Sequence, residues 1–236
     1  MKLSILVPTL PQRHRFLRKL MEQITTQIDC DAKAATIRDG QITVTTYTFD
    51  CLPVEVIIML DNKQISVGKK RNLLKALAKG DYLTFVDDDD KISDDYISTI
   101  LAATKTGKDL ITYRVEMVEN GAVSREVHYH PRYTKDMDVA PSLKTLPKEQ
   151  QEKLEGKSKA AIMRAIKKQP AQALRVPNHL MVWKRSLTSG CQFPDISLGE
   201  DGAWALKMKP RVNTLHEIDK VLYWYMFDAN TTETQR

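Results

Sequence analysis

The sequence has few cysteines and no long apolar segment. Three cysteines, Cys30, Cys51 and Cys191, occur among its 236 residues without any Cys-x-x-Cys pair, which argues against a structural zinc site. We expect three reduced thiols in a cytoplasmic protein, with a Cys30–Cys51 bond across a predicted hairpin as the alternative. No apolar run approaches the ~20 residues of a membrane-spanning helix, and Leu3–Pro8 is too short for a signal peptide.

Glycine is also scarce, at nine residues, and the glycine-rich nucleotide-binding motifs are missing. No Gly-x-Gly-x-x-Gly fingerprint occurs, which argues against a dinucleotide-dependent oxidoreductase. Gly156-Lys157-Ser158 is similar to the end of a P-loop, but Gln151 stands where that loop requires a glycine. No Gly-x-Ser-x-Gly elbow indicates a hydrolase either.

The positive charge is concentrated in one stretch of an otherwise ordinary globular composition. Hydrophobic residues make up 42% of the chain and charged residues 28%. The 36 basic residues outnumber the 30 acidic ones, for a net charge of +6. Between Lys135 and Arg175 there are ten basic and five acidic residues, a net charge of +5. This stretch therefore carries nearly all of the excess.

The first ninety residues alternate between strand and helix patterns. The predicted order is a strand at 3–9, a helix at 15–28, a hairpin at 35–50, a strand at 54–60, a helix at 67–78 and a strand at 81–86. Such an alternation is typical of a parallel, Rossmann-like sheet with right-handed crossovers. Ligands of these sheets bind beyond the carboxyl ends of the strands, where Thr9, Asp61 and Asp87 are expected.

The second half of the chain carries a lysine-rich insertion. We predict a helix at 96–104, strands at 110–118, 123–130 and 180–183, a helix at 200–208 and a last strand at 221–227. The insertion at 131–175 interrupts this series, and a single helix from Pro147 to Lys168 is its predicted core. One face of that helix would present five basic residues, Lys153, Lys157, Arg164, Lys167 and Lys168.

Four consecutive carboxylates, Asp87 to Asp90, follow the third predicted parallel strand. Adjacent carboxylates repel one another, so such a run is costly unless solvent or a cation neutralises it. Oxygen ligands of this kind suit Mg²⁺ or Mn²⁺ bound together with substrate phosphates. The alternative is a solvated loop that leads into a helix N-terminus.

Five short motifs follow one another in a set order. They are Ser4-Ile5-Leu6-Val7-Pro8-Thr9, Asp61-Asn62, Gly68-x-x-Arg71-Asn72, Ala78-Lys79-Gly80-Asp81-Tyr82-Leu83-Thr84-Phe85-Val86-Asp87-Asp88-Asp89-Asp90, and Gly199-Glu200-Asp201. Their order, spacing and position at strand ends resemble family 2 glycosyltransferases of the GT-A fold, least well at 28–50 and 131–175. The resemblance implies an α/β fold with a mixed sheet flanked by helices, in a single domain over 1–236.

The resemblance also implies a nucleotide-binding site at the strand ends. Pro8 and Thr9 would line the nucleotide pocket, and Asp61 would accept a hydrogen bond from a uracil-like base. Lys69 and Arg71 are the nearest cations in the sequence. The family often has two adjacent acids at the position of Asp61, whereas this chain has one.

A metal site belongs to the same resemblance. Asp87 and Asp89 would form the DxD motif, which contacts the ribose and a diphosphate-bound Mn²⁺ or Mg²⁺. The four-aspartate run leaves the register open by one residue, so Asp88 is a further candidate. His216 lies where some GT-A enzymes place a third metal ligand.

Catalysis would belong to the Glu200-Asp201 pair. Asp201 would be the general base that deprotonates the acceptor hydroxyl, in a single displacement that inverts the sugar carbon. His179 is a weaker site candidate. Trp204, three residues after Asp201, is placed either to stack on an acceptor or to pack in the core.

The acceptor has no motif of its own. The donor is expected to be a UDP-sugar, and the basic segment at 147–168 suggests an anionic acceptor such as a hydroxymethylated DNA base, as in phage-type enzymes. A surface polysaccharide or a lipid-linked acceptor is the alternative. A catalytically silent, nucleic-acid-binding GT-A domain would lack one of the acidic sites, and a nucleotidyltransferase would want a glycine-rich loop after the first strand.

Overall fold

One mixed sheet runs through the computed structural model, which describes residues 2–143, 148–167 and 170–227. Its strands are β1 (Leu3–Thr9), β2 (Ala32–Asp39), β3 (Ile42–Phe49), β4 (Val54–Leu60), β5 (Tyr82–Phe85), β6 (Lys91–Ile92), β7 (Leu110–Glu119), β8 (Ala122–Tyr129), β9 (Met137–Val139), β10 (Ala171–Arg175), β11 (Val182–Lys184) and β12 (Leu215–Phe227). The strand order is β2-β3-β4-β1-β5-β11-β7-β8-β10-β9, and β12 pairs with β7 and β6. This is the α/β, GT-A-like architecture expected from the sequence.

The helices flank this sheet. They are α1 (His14–Thr26), α2 (Val67–Leu77), α3 (Tyr96–Thr104), α4 (Lys148–Leu154), α5 (Lys159–Lys167), α6 (Arg185–Thr188) and α7 (Glu200–Met208). The helices predicted at 15–28, 67–78, 96–104 and 200–208 are therefore confirmed. Among the helices in the described ranges, none combines the length and apolar character that a membrane crossing needs.

The parallel centre of the sheet consists of β4, β1 and β5. Their apolar residues, such as Ile5 and Val56, are fully buried, as expected for strands covered on both faces. Thr9 pairs with Leu60, and Leu6 pairs with Phe85. The carboxyl ends of the three strands therefore lie at one edge of the sheet.

A disulfide bond closes the base of the hairpin formed by β2 and β3. Cys30, just after α1, is bonded to Cys51, just before β4, with 6.2 Å between their Cα atoms. The expectation of three reduced thiols is thus wrong for this pair, while Cys191 is free and buried. The two cysteines meet because the antiparallel register of β2 and β3 sets Ala32 opposite Phe49, and Cys30 and Cys51 lie two residues beyond this pair. The cysteine argument for a cytoplasmic protein therefore no longer holds.

The insertion at 131–175 is built differently from the prediction. Instead of one helix it contains α4 and α5, because Gly156 adopts a positive φ of +74° between them. The proposed helix ends, Pro147 and Lys168, lie outside the described residues. The strands β9 and β10 were not predicted, and β10 adds to the sheet beside β8.

Candidate active site

The carboxyl ends of β1 and β5 meet through a direct hydrogen bond. The hydroxyl group of Thr9 donates to an Asp88 carboxylate oxygen at 2.5 Å, and both side chains are buried. Pro8, one residue earlier, is half-buried. The structure therefore brings Thr9 to the acidic run.

Asp61, at the end of β4, is fully buried and its carboxylate is used within the protein. One oxygen accepts from the backbone N–H groups of Gln64 (2.8 Å) and Ile65 (3.2 Å). The other oxygen forms an ion pair with Lys70, which also donates to the Thr9 carbonyl at 3.1 Å. Asp61 thus fixes the loop after β4, and its contact with a base stays a prediction.

Lys70 takes the place that the sequence reasoning gave to Lys69. The Lys69 side chain is exposed, whereas Lys70 and Arg71 lie on the buried face of α2 together with Leu74. The spacing of Lys70 and Arg71 to Leu74, four and three residues, is the helical signal that identifies this face.

Arg13 provides a counter-charge within the acidic run. Its Nε atom donates to Asp88 at 2.7 Å and its Nη2 atom contacts Asp89 at 2.5 Å, and its guanidinium lies 5.4 Å from the centre of the Phe16 ring. Burial raises the pKa of Asp88 to about 6, although Arg13 and Thr9 act in the opposite direction. Burial likewise raises the pKa of Asp89. Sequence reasoning missed Arg13, whose signal is a basic residue in the short turn Pro11–Arg13 after β1.

Asp90 belongs to the other side of the acidic run and faces β12. It accepts from the Tyr223 hydroxyl at 2.5 Å and from the Met226 backbone N–H at 2.7 Å. Burial, with repulsion from Asp87 and Asp89, raises its pKa well above the usual range. Asp90 therefore anchors the acidic run to the sheet.

Arg71 joins the first acid of the run to α7. Its Nη2 atom contacts Asp87 at 3.2 Å and its Nη1 atom donates to Glu200 at 2.8 Å. The guanidinium lies about equally far from the rings of Phe85 and Phe193, at 5.8 and 5.9 Å. The predicted cation Arg71 and the predicted acids Asp87 and Glu200 are thus brought together.

His179 makes a second bridge between the same elements. Its Nε2 atom lies 3.4 Å from an Asp87 oxygen, and its Nδ1 atom lies 3.5 Å from an Asp201 oxygen. Burial and Arg71 lower the pKa of His179, but the two carboxylates outweigh them and raise it. His179 and Arg71 in turn lower the pKa of Asp87 and of Asp201, against the effect of burial.

Asp201 is the least buried acid of this network. It stands in the first turn of α7, and its side chain is 35% exposed, against 7% for Glu200. Its other oxygen accepts from the Gly202 backbone N–H at 2.7 Å. Asp201 is therefore ionised at neutral pH and accessible to a second reactant.

The Gly68-x-x-Arg71-Asn72 motif fixes α2 against the loop that precedes α7. A Cβ atom on Gly68 would come within 1.9 Å of the Pro194 carbonyl oxygen, so only glycine fits this contact. The Asn72 side chain donates to the Phe193 carbonyl and accepts from the Phe193 N–H, both at 2.9 Å. These contacts hold Arg71 at its carboxylate partners.

Two predicted site residues lie elsewhere. His216 stands at the start of β12, where it pairs with Ile111 and lies beside α3, seven residues before Tyr223, which contacts the acidic run. This position removes His216 from the metal-ligand candidates. Trp204 is fully buried and stacked on Phe193 at 4.5 Å, so it belongs to the core and is not available to an acceptor.

The donor set fits a hard divalent cation that shares its coordination with a ligand. In the described ranges, no three His, Cys, Asp or Glu side chains form a complete metal site. Mg²⁺ and its analogues are commonly held by one or two carboxylates plus substrate phosphates, so a complete protein cage is not required. Asp87, whose lowered pKa keeps it ionised, and Asp89, which now pairs with Arg13, are carboxylate donors of this kind.

Comparisons with known proteins agree with this architecture. A family model described as glycosyl transferase family 2 matches residues 50–174. No curated protein gives a match to the sequence.

Among solved structures, Staphylococcus aureus TarS 1-349 in complex with UDP-GlcNAc has a TM-score of 0.57 at 15% identity, over 97% of this chain and 59% of that chain. TarS 1-349 in complex with UDP has a TM-score of 0.56 at 15% identity, over 97% and 61%. The longer TarS structure has a TM-score of 0.56 at 16% identity, over 97% and 37%. The chain thus spans less than two thirds of each TarS chain, and the likeness is one of fold.

Proposed function

The chain belongs to glycosyl transferase family 2, and from this premise we propose that it transfers a sugar from a UDP-sugar donor to an acceptor hydroxyl. One observation carries the proposal. Asp87, the first acid after β5, and Asp201, in the first turn of α7, both contact His179, so donor-side and acceptor-side carboxylates share one site.

The donor would lie at the carboxyl ends of β1, β4 and β5. Thr9 and the Asp87–Asp90 run line this edge, and Pro8 and Asp61 border it. TarS, which has the same fold, has been solved with UDP-GlcNAc and with UDP, and this supports a uridine nucleotide as the donor carrier. Arg71 and Arg13 supply positive charge within the acidic run.

Asp201 would act as the general base. The acceptor oxygen attacks the anomeric carbon, the bond from that carbon to the diphosphate oxygen breaks, and the hydroxyl proton passes to Asp201. Its lowered pKa keeps Asp201 ionised, so proton transfer becomes favourable only as the attacking oxygen gives electron density to the carbon. A single displacement of this kind inverts the sugar carbon.

Asp87 and Asp89, with Asp88 as the alternative in register, would hold Mn²⁺ or Mg²⁺ together with the donor diphosphate. When bound, the cation supplies charge neutralisation for the leaving diphosphate. Arg13, which now contacts Asp88 and Asp89, would give up at least the Asp89 contact to such a cation.

The acceptor is proposed to be anionic, with a hydroxymethylated DNA base as the leading candidate. Lys157, Lys159, Arg164 and Lys167 are exposed in and before α5, and this supports contact with phosphates. A surface polysaccharide or a lipid-linked hydroxyl is the alternative, for which the exposed Met163 offers limited apolar area.

Hydrolysis of UDP-, GDP- and CDP-sugars, with and without Mn²⁺, tests the donor proposal. We expect slow release of UDP from a UDP-sugar, strongest with Mn²⁺, and loss of this activity in Asp87→Asn. Asp219→Asn, at a side chain that is 95% exposed, is the matched control and should behave as wild type. A wild-type protein that neither binds UDP nor hydrolyses any donor would contradict the proposal.

A further inference from the structure

We infer that His179 is a positioning residue that holds the donor-side carboxylate Asp87 and the base Asp201 in one fixed arrangement. This inference rests on the proposed function and extends it to a residue that acts through Asp87 and Asp201 and does not itself take part in the chemical step. Its geometry is direct, because one ring nitrogen faces each carboxylate, at 3.4 Å for Nε2–Asp87 and 3.5 Å for Nδ1–Asp201.

The backbone around His179 is held firmly. The Phe85 N–H of β5 donates to the His179 carbonyl at 3.2 Å. The next residue, Leu180, offers its carbonyl to the hydroxyl groups of Thr84 (2.8 Å) and Tyr113 (2.5 Å). The Trp183 indole N–H donates to the Asn178 carbonyl at 2.8 Å. The imidazole is therefore held by a hydrogen-bonded segment, whereas the Asp201 side chain is only partly buried.

Arg71 does not duplicate this role. Arg71 contacts Asp87 and Glu200, whereas His179 contacts Asp87 and Asp201. Without His179, the charge of Arg71 would still offset part of the repulsion between Asp87 and Asp201, but the contact that joins these two carboxylates would be lost. A fixed base orientation matters because a small misplacement of a reacting group lowers the rate strongly.

Two conservative variants separate the two contacts of His179. The amide nitrogen of asparagine takes the position of Nδ1 and that of glutamine the position of Nε2. We expect His179→Gln to keep the Asp87 contact and lose the Asp201 contact, with kcat for transfer lowered about tenfold and donor KM unchanged. We expect His179→Asn to show the converse, a donor KM raised several-fold with a smaller loss of kcat.

A double-mutant cycle distinguishes positioning from a general structural effect. On the Asp201→Asn background, His179→Gln should cause no further loss of transfer, since the base it orients is already absent. Tyr113→Phe is the matched control, because it loosens the same segment without touching a carboxylate. It should lower the melting temperature. It should not show the separate changes of kcat and donor KM that we expect of the two His179 variants.

The outcomes separate this inference from the proposed function. Equal effects of both His179 variants on kcat and KM, or an undiminished loss on the Asp201→Asn background, would overturn the positioning role while leaving transfer by the wild type intact. Titration of UDP into the folded variants gives a second readout, in which only His179→Asn should bind more weakly than wild type. No turnover by the wild type would count against the proposed function, and equal UDP affinities would still overturn the Asp87 contact.

Discussion

At the scale of single residues, the site is a balance of buried opposite charges. Arg13 forms ion pairs with Asp88 and Asp89, while Arg71 and His179 lie between Asp87 and α7. Removing one partner of a buried pair leaves the other uncompensated, so changes here are expected to be large and specific. The functional question is which change alters binding and which alters the chemical step.

Asp201→Asn should nearly abolish sugar transfer and keep donor binding. The amide preserves the shape of the side chain but cannot accept the hydroxyl proton, and a general base acts in the transition state, not in the ground state. We expect a loss of about 10²–10⁴-fold in kcat, measured as product formation at saturating donor. Retention of more than about a tenth of the wild-type turnover would place the base elsewhere.

Asp87→Ala and Asp89→Ala should lose metal-dependent nucleotide binding. A small hard-cation site with one or two protein carboxylates has few substitutes for either of them. Calorimetric titration of UDP in Mn²⁺, repeated in EDTA, measures the effect, with Asp219→Ala as the surface control. If both site variants bind UDP in Mn²⁺ as tightly as wild type, the DxD assignment is wrong.

At the scale of elements, two segments are added to the central sheet, the hairpin of β2 and β3 and the helical segment α4–α5. The disulfide closes the base of the hairpin of β2 and β3. The second piece, α4 and α5, carries exposed basic residues and follows β9 at the far edge of the sheet. Each piece can be tested without touching the acidic run.

Reduction of the disulfide should lower stability without removing the fold. Cys30 and Cys51 are 21 residues apart. A cross-link over a loop of that size lowers the entropy of the unfolded chain and so stabilises the folded state by roughly 3 kcal/mol. We expect dithiothreitol to lower the melting temperature of wild type and of Cys191→Ser, and to have no effect on Cys30→Ser/Cys51→Ser. A wild type that is insensitive to reductant would contradict the stabilising role.

Binding of duplex DNA through the α4–α5 piece should weaken steeply with salt. Each phosphate neutralised by a lysine releases counterions, so Lys157→Glu/Lys167→Glu should bind more weakly and with a smaller salt dependence. Fluorescence anisotropy between low and physiological salt measures both. Lys33→Glu, on the distant strand β2, is the control. No binding at low salt would leave a carbohydrate acceptor as the better hypothesis.

At the scale of the whole molecule, the site makes stability depend on pH in both directions. Folding raises the pKa of Asp88 to about 6. Its contribution to the free energy of unfolding is therefore fully present below about pH 4 and is lost as the pH rises through 6. The raised pKa of His179 acts in the same direction. Asp87 and Asp201 have lowered pKa values, so their contribution is present above about pH 4 and lost in acid.

Wild-type protein should therefore be less stable at pH 7 than at pH 5 in the absence of metal, and Asp88→Asn should show a smaller decline. Urea unfolding in EDTA between pH 5 and pH 7 gives the free energy of unfolding of wild type and of Asp88→Asn. An equal decline in both proteins would show that Asp88 is not responsible.

Local sequence pattern by itself determined most of the fold. Mainly apolar runs give β1 and β4, helical spacing gives α1 and α2, and the run Asp87–Asp90 falls just after β5, which ends at Phe85. Hydrophobic periodicity and helix or strand length are properties of neighbouring residues, so they can be read without the tertiary structure.

Only the tertiary structure decided the pairings between distant residues. Arg13 meets Asp88 across 75 positions, and His179 meets Asp87 across 92. The same holds for burial, which assigns Trp204 to the core and selects Lys70 over Lys69. Such contacts depend on how the sheet brings separate segments together, and no local pattern specifies that.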